Sequence, residues 1–139
     1  MFRAFLIFLT ISNLLIAQEI VIVADENFAE QNLTKKQIQA IFLDKKRFMQ
    51  GEQILVMNYE FDHPLRKCFE KTILEKTQRA LEEYWRRAYY KGKRPPKVLK
   101  SVEMLLSFFE RVQPSIGYMD ANESKKRNMK VLYREKCKK

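Results

Sequence analysis

The sequence predicts an α/β domain with about four helices flanking a small sheet, on three observations. Short β-branched or apolar runs recur, at Glu19–Ala24, Gln53–Asn58 and Ile116–Met119. Between them lie segments with apolar residues at helical spacing, each opened by a residue able to cap a helix. Three glycines in 139 residues rule out Gly-rich phosphate loops of the mononucleotide and dinucleotide types.

The elements follow in order. Residues 1–17 carry one cation at Arg3, an apolar run from Ala4 to Ala17 and then the polar pair Gln18-Glu19. That is the layout of a secretory signal cleaved after Ala17. The run is interrupted by Thr10, Ser12 and Asn13 and is shorter than the roughly 20 apolar residues of a membrane span. The sequence therefore predicts a signal at 1–17, an α/β domain at 18–122, and a final strand with a basic tail at 123–139. The mature protein is expected in the periplasm or secreted.

After the first strand, Asp25–Asn32 reads as a loop. Thr34 and Gln37 make a capping box, and Leu33 with Ile38 a hydrophobic staple, for a helix running to about Leu43. Phe48–Glu52 reads as a turn around Gly51. A strand at Gln53–Asn58 leads to Pro64, well placed as the first residue of a helix whose buried face is Leu65, Phe69 and Ile73. Asp62 or His63 is its cap. Thr77 caps the next helix, with Leu81, Tyr84, Trp85 and Ala88 inward and Gly92 as its stop. Lys93-Arg94-Pro95-Pro96 is a stiff basic connector. Ser101 caps a last helix, with Val102, Leu105, Leu106, Phe109 and Val112 inside. Met129–Tyr133 reads as a further strand and the remainder as a charged tail.

The formal net charge of +10 speaks to partners. Export argues against nucleic acid and towards anionic envelope components or an acidic protein. Arg86, Arg87, Lys91, Lys93 and Arg94 form a basic patch, with Tyr89 and Tyr90 inside it, and no acidic residue falls between Tyr84 and Val102. Cations interleaved with aromatics suit an acidic partner; an ordinary solvated helix end has the same composition. Cys68 and Cys137 are open to two readings. A bridge between them would close a loop of about 70 residues, worth on the order of 4 kcal/mol; alternatively Cys68 fills the core and Cys137 sits in the tail. His63 is the single histidine. Without a His/Cys cluster no metal site is expected, and no cofactor either. Glu82 and Glu83 are neighbours on a helix, about 100° apart, and so not a catalytic pair; they are expected to balance Arg86 and Arg87. No acid, base and nucleophile combine, so no enzyme is expected.

Several phrases, in this order, resemble the periplasmic phosphate-binding protein family of ABC importers, and its short single-domain relatives more closely. They are LTKKQIQAIFLDKK, HPLRKCFEKTIL, ALEEYWRRAYYKGKRPPK and VQPSIGYM, spanning roughly Leu33 to Met119. The resemblance implies a single lobe of the type II periplasmic-binding-protein fold, with a small mixed sheet. In that family an Arg-x-Asp-Gly-Ser-Gly-Thr turn before a helix holds phosphate. Matching the helical Phe to Phe69 lays this turn over Tyr59–Leu65. Tyr59 then stands for Arg, Phe61 for Asp, and His63, Pro64 and Leu65 for Ser, Gly and Thr. The ligand-binding candidates that remain are Tyr59, His63, Arg66 and Lys67, with the free N–H groups past Pro64. Phosphate in a dry cleft needs several donors, and Pro64 removes one, so tight capture by the family's mechanism is not expected. Two functions stay open. One is weak small-anion binding or an accessory role in transport. The other is an envelope module that kept the lobe, lost the ligand, and binds a transporter component, another envelope protein or a second copy of itself.

Overall fold

The strand β1 (Glu19–Ala24) is apolar on both faces because both are covered: Ile20 to Val23 have no exposed surface. A run of this kind suits the middle of a sheet. β1 pairs antiparallel with β6 (Ser115–Asp120) on one side and antiparallel with β7 (Lys130–Lys136) on the other. β6 continues the sheet in parallel to β4 (Leu55–Tyr59), which pairs in parallel with β5 (Lys97–Leu99). The order is β5-β4-β6-β1-β7, so one reversed strand lies among four parallel ones. The computed structural model describes residues 18–139, and the expected signal at 1–17 lies outside them.

Each helix begins as its cap dictates. Thr34 and Gln37 form the reciprocal capping box of α1 (Lys35–Phe42), which buries Ile38, Ile41 and Phe42. Between α1 and β4, the short strands β2 (Phe48–Met49) and β3 (Glu52–Gln53) pair about a turn at Gln50 and Gly51, both at positive φ. α2 (Pro64–Phe69) widens into a π-helical turn at Glu70–Leu74 and stops at Glu75, which is left-handed. α3 (Gln78–Tyr89) is capped by Thr77, and α4 (Val102–Arg111) by Ser101. α5 (Ala121–Lys126) is capped by Asp120.

Among the described residues there are five α-helices, against the about four that the sequence predicts. α5 escapes sequence reading because ANESKK buries only Ala121 and Ser124 and so shows no apolar stripe. β5 escapes it because a three-residue edge strand after two prolines has too little pattern. Val112 is the cap residue after α4 and is exposed, not inside. The charged tail is in large part strand: β7 runs on to Lys136, and the Cys137 N–H bonds to the Gln18 carbonyl at 2.8 Å.

That extension settles the cysteines. Cys68 on α2 and Cys137 beyond β7 form a disulfide, with Cα atoms 5.4 Å apart and a sequence separation of 69. The bridge fastens the edge strand to the helix that follows β4. Reduction, or the double substitution Cys68→Ala and Cys137→Ala, is expected to lower unfolding free energy by about 4 kcal/mol, as the loop length implies. Urea denaturation with and without reductant measures it, and an unchanged midpoint would refute the assignment.

Candidate functional site

In open α/β sheets ligands sit outside the carboxyl ends of the strands, where helix N-termini point. β4 leads into α2, β5 into α4 and β6 into α5, so these junctions define the candidate site.

The N-termini of α2 and α5 are already engaged, and that of α4 is engaged in part. At α2, His63 Nδ1 accepts the Leu65 N–H at 3.1 Å, and the His63 carbonyl accepts those of Arg66 and Lys67 at 3.0 and 3.2 Å. Pro64 has no N–H. The expectation of free N–H groups past Pro64 is thus corrected: His63 takes every donor of the first turn. At α4, Ser101 Oγ accepts the Met104 N–H at 3.3 Å. At α5, Asp120 Oδ2 accepts from Asn122 and Glu123 at 3.1 and 3.3 Å. A carboxylate there is favoured by the helix dipole for the same reason a phosphate would be. Arg127 contacts Glu123 at 2.8 Å and Glu103 at 3.7 Å, so the cation of this region already has acidic partners.

The candidates Tyr59, His63 and Arg66 come together, chiefly with one another. Tyr59 is 1% exposed, stacks on the His63 ring at 4.5 Å and meets Tyr118 edge-on at 5.2 Å. Its hydroxyl has no hydrogen-bond partner among the described residues. Burial, and then the negative charge of Glu103, push that hydroxyl well above its ordinary pKa. Arg66 Nη1 donates to the Tyr59 carbonyl at 3.0 Å, Nε lies 3.4 Å from Glu70, and the guanidinium sits 6.0 Å from the Phe61 ring. Lys67 is separate. It lines a cleft of about 590 Å3 with Phe61, Lys71, Lys76 and Lys138 and with the carboxylates Glu70 and Glu75, the latter 4.0 Å from Lys138. Sequence reasoning missed Lys71, Lys76, Lys138, Glu103 and Asp120. Of these Asp120 was findable, as an acidic residue directly after a strand and before a polar run.

The basic patch is ordered by an acid from another element. Arg94 N–H donates to Asp44 Oδ2 at 2.9 Å, Lys93 Nζ to the Asp44 carbonyl at 3.0 Å, and Arg47 to both Asp44 and the Gly92 carbonyl. Asp44 follows α1 with positive φ, which aims its groups at the connector. Arg86, Arg87 and Lys91 are exposed, Tyr89 and Tyr90 are 60% and 86% exposed, and the Arg94 guanidinium lies 4.9 Å over Tyr89. Glu82 accepts from Gln78 rather than pairing with Arg86 or Arg87. Among the described residues no group of His, Cys, Asp and Glu is placed to hold a metal, and no helix is long and apolar enough to cross a membrane.

The architecture is that of an α/β lobe of phosphate-binding periplasmic proteins. The chain is similar to an ABC-type phosphate transport receptor from Vibrio cholerae, with TM-score 0.63 and 17% identity over 83% of this chain and 45% of that one. It is similar to PstS from Borrelia burgdorferi, with TM-score 0.62 and 15% identity over 84% and 47%. A protein assigned to phosphate ABC transport from Clostridium perfringens, with bound phosphate, matches with TM-score 0.60 and 17% identity over 76% and 41%. The chain thus spans less than half the length of these structures. No family model matches the chain, and no curated protein matches it.

Two outcomes follow from the caps. His63→Ala removes the acceptor for Leu65 and the Tyr59 stack, and is expected to cost about 1 kcal/mol of stability in chemical denaturation. Burial would raise the Asp44 carboxyl, but the Arg47 and Arg94 hydrogen bonds outweigh it and hold the group below its usual range. The ionised form makes the clamp, so its stabilisation is present above the ordinary carboxylate pKa and lost as pH falls through the lowered one. Asp44→Asn should speed amide exchange at Arg94 at neutral pH, and the difference from wild type should shrink in acid.

Proposed function

We propose that the chain is an exported accessory lobe that docks on an acidic partner of the cell envelope, a transporter component being one such partner, rather than a capture protein for free phosphate. The observation that carries this reading is the occupation of the α2 and α5 N-termini by His63 and Asp120. A phosphate would have to displace an imidazole cap at one and meet a carboxylate at the other. Export is supported by the sequence of residues 1–17 and by a disulfide that suits an oxidising compartment. Docking is supported by the patch of Arg86, Arg87, Lys91, Lys93 and Arg94. Its exposed tyrosines supply contact area, and its connector is held in place by Asp44 before any partner arrives.

A second reading, weak small-anion binding through Tyr59, His63, Arg66 and Lys67, draws on the likeness to proteins named for phosphate transport. Calorimetry separates the two. Phosphate, sulfate and small carboxylates at millimolar concentration should give no binding heat. Polyglutamate should bind, weaken as salt screens the patch, and lose most of its affinity on Arg94→Glu with Tyr90→Ala. Saturable phosphate binding that His63→Ala alters would favour the second reading. Sedimentation in the same buffers would reveal a homodimer.

A further inference from the structure

Two asparagines stand in a pattern that neither the fold nor the docking patch requires. The chain has six asparagines and nine serines or threonines. At that composition fewer than one Asn-x-Ser/Thr triplet is expected by chance, yet two occur: Asn32-Leu33-Thr34 and Asn122-Glu123-Ser124. Such a triplet, without proline in the middle, is the acceptor for N-linked sugar in exported proteins. Each also has a carboxylate two residues before the asparagine, Glu30 and Asp120, a charge that a transferase can hold with a cation of its own.

The fold opens one triplet and closes the other. Asn122 lies in the first turn of α5, and Asp120 Oδ2 accepts its N–H at 3.1 Å. Ser124 is 3% exposed, so the hydroxyl of this triplet is out of reach, and the carboxylate before it is engaged as the helix cap. Asn32 lies in the loop between β1 and α1. Glu30, Asn32 and Thr34 are exposed, whereas Leu33 is buried and its N–H bonds to the Leu132 carbonyl at 3.0 Å. Residues two apart on an extended chain share a face, and Thr34 is extended, with φ −77° and ψ 160°. Leu33 thus anchors the segment, while the amide and hydroxyl of the triplet stand on its outer side. Thr34 Oγ1 accepts the Gln37 N–H at 3.2 Å and keeps its own proton to donate outward.

We propose that Asn32 is a site of N-glycosylation, an inference that rests on the reading of the chain as exported. The co-reactant is an oligosaccharide carried on a lipid diphosphate and presented by a membrane transferase. Asn32 Nδ2 attacks the anomeric carbon, and the new C–N bond forms as the C–O bond to the diphosphate breaks. The diphosphate leaves with the electron pair, the amide nitrogen gives one proton to a base of the transferase, and nothing is oxidised or reduced. The acceptor is at the start of α1, whereas Asp44 and the connector it holds lie past the end of that helix. Sugar attachment and partner docking therefore belong to separate sites.

The test is mass spectrometry of the protein purified from its own cells, intact and after trypsin. The peptide 18–35 should carry the mass of an oligosaccharide, placed on Asn32 by fragmentation, and the peptide 112–125 should have the mass of its sequence. Asn32→Gln changes an exposed side chain and should return the intact protein to its sequence mass, while Asn122→Gln should leave the sugar in place. Thr34→Ala should abolish the modification. Thr34→Ser keeps both the hydroxyl and the cap of α1 and should retain it, which separates recognition of the triplet from loss of the cap. An exported chain, cleaved of residues 1–17 and found wholly at its sequence mass, overturns the proposal and leaves the export reading standing. A chain found in the cytosol with residues 1–17 in place overturns both. Sugar on Asn122 in place of Asn32, or sugar that survives Asn32→Gln, overturns the proposal alone.

Discussion

The pairing of β1 on both its edges holds this molecule together. β1 joins β6, and through it the parallel pair β4 and β5, to β7. Its side chains supply apolar packing on both faces of the sheet at once. A single strand reversed within a parallel sheet has no crossover helix of its own, and its place is fixed by register with its neighbours. Ile22 meets Tyr118 on one side and Tyr133 on the other, and the bulge after Ile22 lets β7 follow the twist. A one-residue slip would move each side chain of β1 to the opposite face and break both pairings together.

That frame presents helix N-termini at the carboxyl ends of β4, β5 and β6, the geometry on which anion sites are built. What sets this chain apart is how completely the N-termini of α2 and α5 are satisfied from within. Pro64 removes one donor and His63 takes the rest, while Asp120 supplies the negative charge that a bound anion would otherwise bring. Tyr59, under the His63 ring, gives the imidazole a flat surface to rest on and loses its own access to solvent. The chemistry of the junction is therefore that of a closed, self-capped surface, and the accessible positive charge lies elsewhere, at the end of α3.

Much of this was legible in the residues. The capping box of Thr34 and Gln37, the face of Leu65, Phe69 and Ile73, and the caps Thr77 and Ser101 are local signals, and local signals survive folding. The fold class followed from them, and the lobe from the ordered phrases between Leu33 and Met119. What was hidden depends on partners distant in sequence. The Cys68–Cys137 pairing requires β7 to reach the end of the sheet. The clamp of Asp44 on Arg94 joins residues 50 positions apart. The sequence offers His63 as a cap, but not the stack of its ring on Tyr59, which no spacing rule encodes. α5 and β5 lack periodicity because one is mostly exposed and the other is three residues long.

The register of β1 with β7 also bears on when the protein can take shape. Glu19 pairs with Lys136, so the earliest strand of the sheet stays half-unmatched until almost the last described residues are present. A polypeptide threading amino end first through a pore or a ribosome tunnel cannot complete its central sheet on the way, because loop closure over such a span must precede the contacts that reward it.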